Sequence, residues 1–223
     1  ALIACDLFNG KIDHAIPSAL CVELFHNFSL IHDDILDKAP LRRNKATVHT
    51  KWNTDIAILS GDAMLVKAYE QLQDSEDKHL KKLFSLFNRT AIEVCEGQQE
   101  DMNFENRNDV SVQDYEEMIR KKTAVLLACS LKMGAICANA DEESANAIYK
   151  FGEALGIAFQ LKDDILDVYS EQHLFGKQEA GDIISNKKTF LLLKALELSD
   201  KNQQANLNNW LEKKEFSAQE KVK

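Results

Sequence analysis

The sequence predicts an all-α fold, a single domain of long helices. Three observations carry that expectation. Only 8 glycines and 2 prolines occur in 223 residues, far too little turn punctuation for a sandwich, a barrel or a doubly wound sheet. Apolar residues recur at spacings of three and four along nearly the whole chain, the period of a helix with one buried face. No stretch alternates apolar and polar residues over a useful strand length, and no internal repeat appears. An apolar share of 45% is enough for a sizeable core.

The elements follow in order. Pro17 suits a first helical turn, and Leu20, Leu24, Phe28 and Ile31 repeat on one face beyond it, so a helix is predicted over residues 17–37. Pro40 ends it and opens a loop over 38–45. Helices follow over 55–72 and 77–102, separated by a polar turn, and a polar link covers 103–108. Ser111 with Asp114 three residues on is a weak capping-box variant; it opens a helix continuing to about residue 138. Another spans 141–168, a loop runs around Gly176 and Gly181, and a last helix covers 187–198. The chain opens at Ala1 already in helix-like sequence and closes on a polar run, so segments are expected to be missing at both ends.

With 36 acidic against 27 basic residues the net charge is −9. That excludes a sequence-independent nucleic-acid binder, which needs clustered Lys and Arg, and an anionic membrane surface as the main partner. An anionic substrate would need a divalent metal to cancel the repulsion. Five cysteines, an odd number without a CxxC pair, read as buried reduced thiols in a cytoplasmic protein. No leader is visible, and the longest apolar stretch, 124–140, is broken by Ser130 and Lys132, so no transmembrane segment is predicted.

Two copies of one acidic pentad stand out: Asp33-Asp34-Ile35-Leu36-Asp37 and Asp163-Asp164-Ile165-Leu166-Asp167. Each ends a long apolar helix. Helical residues four apart share a face, so Asp33 pairs with Asp37 and Asp163 with Asp167. Carboxylates there repel one another and oppose the helix dipole, so their presence twice points to a gain elsewhere. Carboxylate clusters suit Mg²⁺, which completes its shell with waters and substrate phosphates. A solvated acidic helix end explains one such pentad, but not two with the same Ile-Leu interior. Cations follow each copy: Arg42 and Arg43 after the first; Lys177, Lys187 and Lys188 after the second. Guanidinium forks and ammonium groups bind phosphate oxygens. Together they describe a site for a metal-chelated diphosphate.

The run from Glu23 through Asp37 to Leu41-Arg42-Arg43 resembles the first aspartate-rich motif of the trans-isoprenyl diphosphate synthases, or polyprenyl synthetases. Ser60-Gly61-Asp62, Glu96-Gly97-Gln98, Lys122-Thr123, Phe159-Gln160 before Asp163, and Gly176-Lys177 through Lys187-Lys188-Thr189 are similar to its later landmarks. The likeness covers about residues 1–198. It implies a bundle of mostly antiparallel helices around a deep central pocket, of the isoprenoid synthase type. It implies an enzyme that condenses isopentenyl diphosphate with an allylic diphosphate, and a homodimer. By position, Asp33, Asp37 and Asp163 would hold Mg²⁺, three ions per site with diphosphate bound, with Asp34, Asp164 and Asp167 supporting. Arg42, Lys122, Thr123, Gln160, Lys177 and Lys187 would grip the allylic diphosphate, and His26 and Arg43 would contact isopentenyl diphosphate. Asp33, Asp37, Lys122, Asp163 and Lys177 would carry the catalytic step.

The resemblance also implies that the aromatic five residues before the first pentad, Phe28, sets the pocket floor beside the small Ser29. A farnesyl- or geranylgeranyl-length product is expected. Three departures stand out. The family's glycine after the paired arginines is Asn44, which tolerates a left-handed turn. The proline often found after Lys187-Lys188-Thr189 is Phe190. The Gly-Gly-Lys-Arg element that binds isopentenyl diphosphate would precede Ala1. Rival readings are a class I terpene cyclase, which a second Asp-Asp-x-x-Asp argues against, and a non-catalytic subunit of a heteromer, which usually lacks one of the motifs. A di-iron bundle built on Glu23-x-x-His26 and Glu76-x-x-His79 is disfavoured because 73–82 reads as an exposed polar stretch.

Overall fold

The computed structural model describes residues 1–169 and 187–211. Gly176, Lys177 and Gly181 lie outside them. The fold is all-α, with helices α1 (Leu2–Leu7), α2 (Ile12–Leu36), α3 (Val48–Lys51), α4 (Thr54–Gln73), α5 (Asp77–Phe104), α6 (Val112–Ile119), α7 (Val125–Cys137), α8 (Glu142–Tyr169), α9 (Phe190–Leu198) and α10 (Lys201–Leu211). A two-stranded hairpin, β1 (Leu41–Arg42) and β2 (Lys45–Ala46), stands where a loop was expected. A π-helical turn, Arg120–Ala124, interrupts what reads in sequence as one helix.

Local signals account for most boundaries. Asn53 caps α4 by accepting from the Ile56 N–H at 2.8 Å. Ser111 and Asp114 form the complete reciprocal capping box of α6. Asp141 opens α8 through Ser144, and Thr189 opens α9 by accepting from the Leu192 N–H, so α9 begins three residues later than predicted. Helix α2 begins five residues before Pro17, because Ala15 is fully buried and holds the preceding turn in place. Helix α10 carries no apolar periodicity and escaped the sequence reading.

Packing registers fix the directions. On α2 and α4, His32 lies against Gly61, while Phe25 and Tyr69 both meet Phe87, so the two helices are antiparallel. On α8, Gly152 lies against Ala128 of α7 and Gly156 against Ala124 of the π-turn that precedes it, again antiparallel. The C-terminal ends of α2, α5 and α8 and the start of α7 therefore gather at one end of the bundle. The main core runs beneath them through Phe25, Phe87, Leu72, Leu83, Val125 and Met133, with Phe28 packed at its edge. A second cluster, Phe104, Tyr115, Met118, Ile119 and Leu193, lies under α6, α8 and α9.

Cys5, Cys21, Cys129 and Cys137 are buried free thiols as expected, whereas Cys95 is exposed on α5. His79 is buried rather than exposed, tucked beneath Glu76. Among the described residues, no helix is long and apolar enough to cross a membrane.

Candidate active site

The last turns of α2 carry His26, Ser29, Asp33 and Asp37 at steps of three and four, one above another on a single face. Asp34 is turned to the other side and buried. The helix closes with Lys38 in the left-handed region at φ 51° and the Ala39 N–H donating to the Asp34 carbonyl at 3.0 Å. The chain then doubles back through the hairpin. Its two central residues, Arg43 at φ 52° and Asn44 at φ 61°, have the signs of a type I′ turn. Asn44 thus serves where the family has glycine. Thr47 pins the base of the hairpin by donating its hydroxyl to the Ala39 carbonyl at 2.7 Å. The result brings Arg42 over the helix end. Its Nε donates to Asp34 Oδ1 at 2.7 Å, and a terminal nitrogen lies 3.4 Å from Asp33 Oδ2. Burial pushes the Asp34 carboxyl above its ordinary range, opposed by Arg42.

The second pentad is built differently. Asp164, 3% exposed, accepts from the Tyr115 hydroxyl at 2.5 Å and the Phe190 N–H at 3.3 Å on one oxygen, and from Gln160 Nε2 at 3.1 Å on the other. Gln160 in turn accepts from the Thr123 hydroxyl at 3.1 Å. Burial raises the Asp164 carboxyl, and the three donors oppose it. Asp163 and Asp167, four apart and half-buried, share a different face of α8 from Asp164.

The π-turn joins the two. Lys122 Nζ lies 2.6 Å from Asp101 Oδ2 on α5 and 3.3 Å from Asp33 Oδ1. Burial works to lower the Lys122 pKa, but Asp33 and Asp101 outweigh it and hold the ammonium above its ordinary value. The next residue, Thr123, faces the second pentad through Gln160. Two glycines wedge the turn in place. A Cβ on Gly97 would lie 2.3 Å from the Lys122 backbone nitrogen, and one on Gly156 would lie 2.5 Å from the Ala124 Cα. Neighbouring cations brace it: Arg120 against Glu117 and Glu153, Lys121 against Glu100. Such π-turns are recurrent at functional sites.

A second link closes the geometry. Lys187 Nζ lies 3.0 Å from Asp37 Oδ2, and three residues later the Phe190 N–H meets Asp164. Three residues span at most about 11 Å of backbone, to which the reach of the lysine side chain is added, so both pentads lie at the same end of the bundle.

Of the residues singled out in sequence, the structure brings Asp33, Asp37, Arg42, Lys122, Thr123, Gln160, Asp164 and Lys187 into this connected network. Asp34 and Asp164 differ from the other aspartates in being buried, with oxygens already accepting from Arg42 and from three neutral donors. His26 is half-buried; burial lowers its pKa, Glu23 opposes this, and Arg43 and Arg42 add to the lowering, which places both guanidinium groups in its neighbourhood. Phe28, five residues from Asp33, is rotated by about 140°. Its ring packs on Phe25 and His32 at 5.4 and 4.8 Å, beside rather than below Asp33. Ser29 lies directly beneath Asp33 and donates to the His26 carbonyl at 2.9 Å. Sequence reasoning missed Asp101 and Tyr115. Each meets its partner on another helix, so no local pattern marks it.

Among the described residues no three His, Cys, Asp or Glu side chains converge into a metal-binding group by themselves. The donor set of the two pentads is carboxylate oxygen, the chemistry Mg²⁺ takes when it fills the rest of its shell with phosphate oxygens and water. Asp33 Oδ1 is buried and accepts no hydrogen bond, with the Lys122 ammonium 3.3 Å away as its charge partner.

The family model for polyprenyl synthetases matches residues 1–223. The geranylgeranyl diphosphate synthase of Methanosarcina mazei is 39% identical over 198 residues, which are 88% of this chain and 61% of that protein. A (2E,6E)-farnesyl diphosphate synthase of Mycobacterium bovis is 40% identical over 187 residues, covering 84% of this chain and 52% of the relative. A crystal structure of a geranylgeranyl pyrophosphate synthase superposes with a TM-score of 0.94 at 45% identity, over 99% of this chain and 68% of that one. The chain thus spans about three fifths of the length of the curated relatives it matches.

Proposed function

This chain belongs to the polyprenyl synthetase family, and on that premise we propose that it is a Mg²⁺-dependent trans-prenyltransferase joining isopentenyl diphosphate to an allylic diphosphate. The observation that carries this reading is the convergence of both aspartate pentads on one π-turn, whose Lys122 and Thr123 face one pentad each.

Asp33, Asp37, Asp163 and Asp167 would hold the metal, anchored from behind by Asp34 and Asp164. When bound, Mg²⁺ neutralises the charge of the diphosphate leaving group. Lys122, Arg42 and Lys187, with Lys177 by resemblance, would bind the same diphosphate oxygens, where negative charge grows as the allylic C–O bond breaks. Thr123 and Gln160 would orient it through their hydroxyl and amide. His26, two turns before Asp33 on the same face of α2, and Arg43 on the hairpin would receive isopentenyl diphosphate. Phe28, partly buried against the core of Phe25 and Phe87, would help keep water from the allylic cation. Phe28 and Ser29 would set chain length, Ser29 leaving room below Asp33 and Phe28 closing its side. A farnesyl- or geranylgeranyl-length product follows, and relatives bearing both names are similar to this chain.

We further propose a cytoplasmic homodimer. Exposed apolar residues Leu59 and Val66 on α4 and Ile92 on α5 support a surface for a second copy. The test of the activity is incubation with labelled isopentenyl diphosphate and each allylic starter, with the products sized. No extension of any starter contradicts the proposal. Phe28→Ala should lengthen the product; unchanged length removes Phe28 from chain-length control.

A further inference from the structure

Tyr115 has no role in the reading above, yet it makes one of the shortest polar contacts in the region. It is 3% exposed, seated in the second core cluster, with its ring beside Phe190 at a centroid distance of 6.5 Å. Its hydroxyl reaches Asp164 at 2.5 Å. Asp164 is a junction. Through its two oxygens it ties α6 by Tyr115, the start of α9 by the Phe190 N–H, and the π-turn by Gln160 and Thr123. Buried carboxylates are held where their donors are. A fixed Asp164 side chain fixes the rotation of the last turns of α8, because successive helical residues are locked about 100° apart.

From this we propose that Tyr115 is a positioning residue. By anchoring Asp164 it sets the phase of α8, so that Asp163 and Asp167 face the first pentad, and it holds Gln160 in register with Thr123. This rests on the proposed diphosphate–metal site and deepens it. Its hydroxyl acts through Asp164, as outer residues do when they orient metal ligands.

The test uses Tyr115→Phe, which keeps the ring and removes only the hydroxyl. Mn²⁺ binding in the presence of inorganic pyrophosphate is read by calorimetry, beside steady-state kinetics. The expected result is an Mn²⁺ affinity about tenfold weaker, a raised KM for the allylic diphosphate and an unchanged KM for isopentenyl diphosphate. Tyr69→Phe is the control. It removes a comparable hydroxyl bond, to Asn88 at 2.8 Å, and should leave Mn²⁺ affinity unchanged. The double variant Tyr115→Phe/Asp164→Asn should weaken binding no more than Asp164→Asn alone, since both break one link. Wild-type-like Mn²⁺ affinity in Tyr115→Phe, or equal losses in the two tyrosine variants, overturns the inference and leaves the site reading intact. Wild-type protein that binds no Mn²⁺ with pyrophosphate overturns the site reading itself.

Discussion

The two pentads have the same five residues and opposite surroundings. In the first, the buried Asp34 is held by one cation, Arg42, whose side chain is 32% exposed and sits on a hairpin at the surface. In the second, the buried Asp164 is held by three neutral donors from three separate elements. The middle aspartate of each pentad is thus buried on its own donors, while the flanking ones lie on another face of the helix. The first anchor is a charged strap from a partly exposed side chain; the second is a buried network of neutral donors. Identical sequence yields an acidic end held by one cation on α2 and by three neutral donors on α8.

The largest expected effect tests what the pentads share. Asp33→Ala and Asp163→Ala should each lower turnover by about 10²–10³ while urea midpoints stay near wild type. A mild loss at either position would show that the two ends do not act on one leaving group. The next effect separates them. Asp164→Ala removes the acceptor that the Tyr115 hydroxyl, the Gln160 amide and the Phe190 N–H share, and should cost about 3 kcal/mol of stability. Asp34→Ala frees an arginine that can turn to solvent, and should cost about 1 kcal/mol or less. Equal costs by urea unfolding would erase the contrast.

Smaller still is a pair of glycine changes. Gly97→Ala would press on the backbone of Lys122, which cannot yield, and should cost about 1–3 kcal/mol together with a weaker grip on the allylic diphosphate. Gly61→Ala meets only the His32 ring, 2.4 Å away, and a rotating ring makes the change cheaper. If Gly61→Ala proves the costlier in thermal unfolding, the π-turn is less confined than the contacts indicate.

The smallest effect concerns the core beneath α2 and α7. Burial pushes the Cys21 thiol up to about 12 and the Cys129 thiol up to about 11, from an ordinary 9.0. Below pH 9 both thiols are protonated whether the chain is folded or not, and the fold keeps its full stability. Above it the unfolded chain ionises first. Urea midpoints should therefore decline between pH 9 and about 11, and Cys129→Ala should flatten the decline. A midpoint constant to pH 11 would contradict the burial of these thiols.

The periodicity of the apolar residues settled the helices α2, α4, α5 and α8 to within a few residues, because an amphipathic helix is a local pattern. Ser111, Asp114 and Asp141 marked starts through contacts three residues away, which sequence displays directly. The pentads and their following cations were legible for the same reason: carboxylates four apart lie on one face in any helix. The division of labour inside each pentad was decided only by the tertiary structure. Asp34 and Asp164 become anchors because Arg42, Tyr115 and the Phe190 N–H arrive from elsewhere in the chain. The π-turn was equally invisible, since it exists where Gly97 and Gly156 let two helices close on it. Contacts between residues far apart in sequence depend on how the helices are laid together, and no spacing along a single helix encodes them.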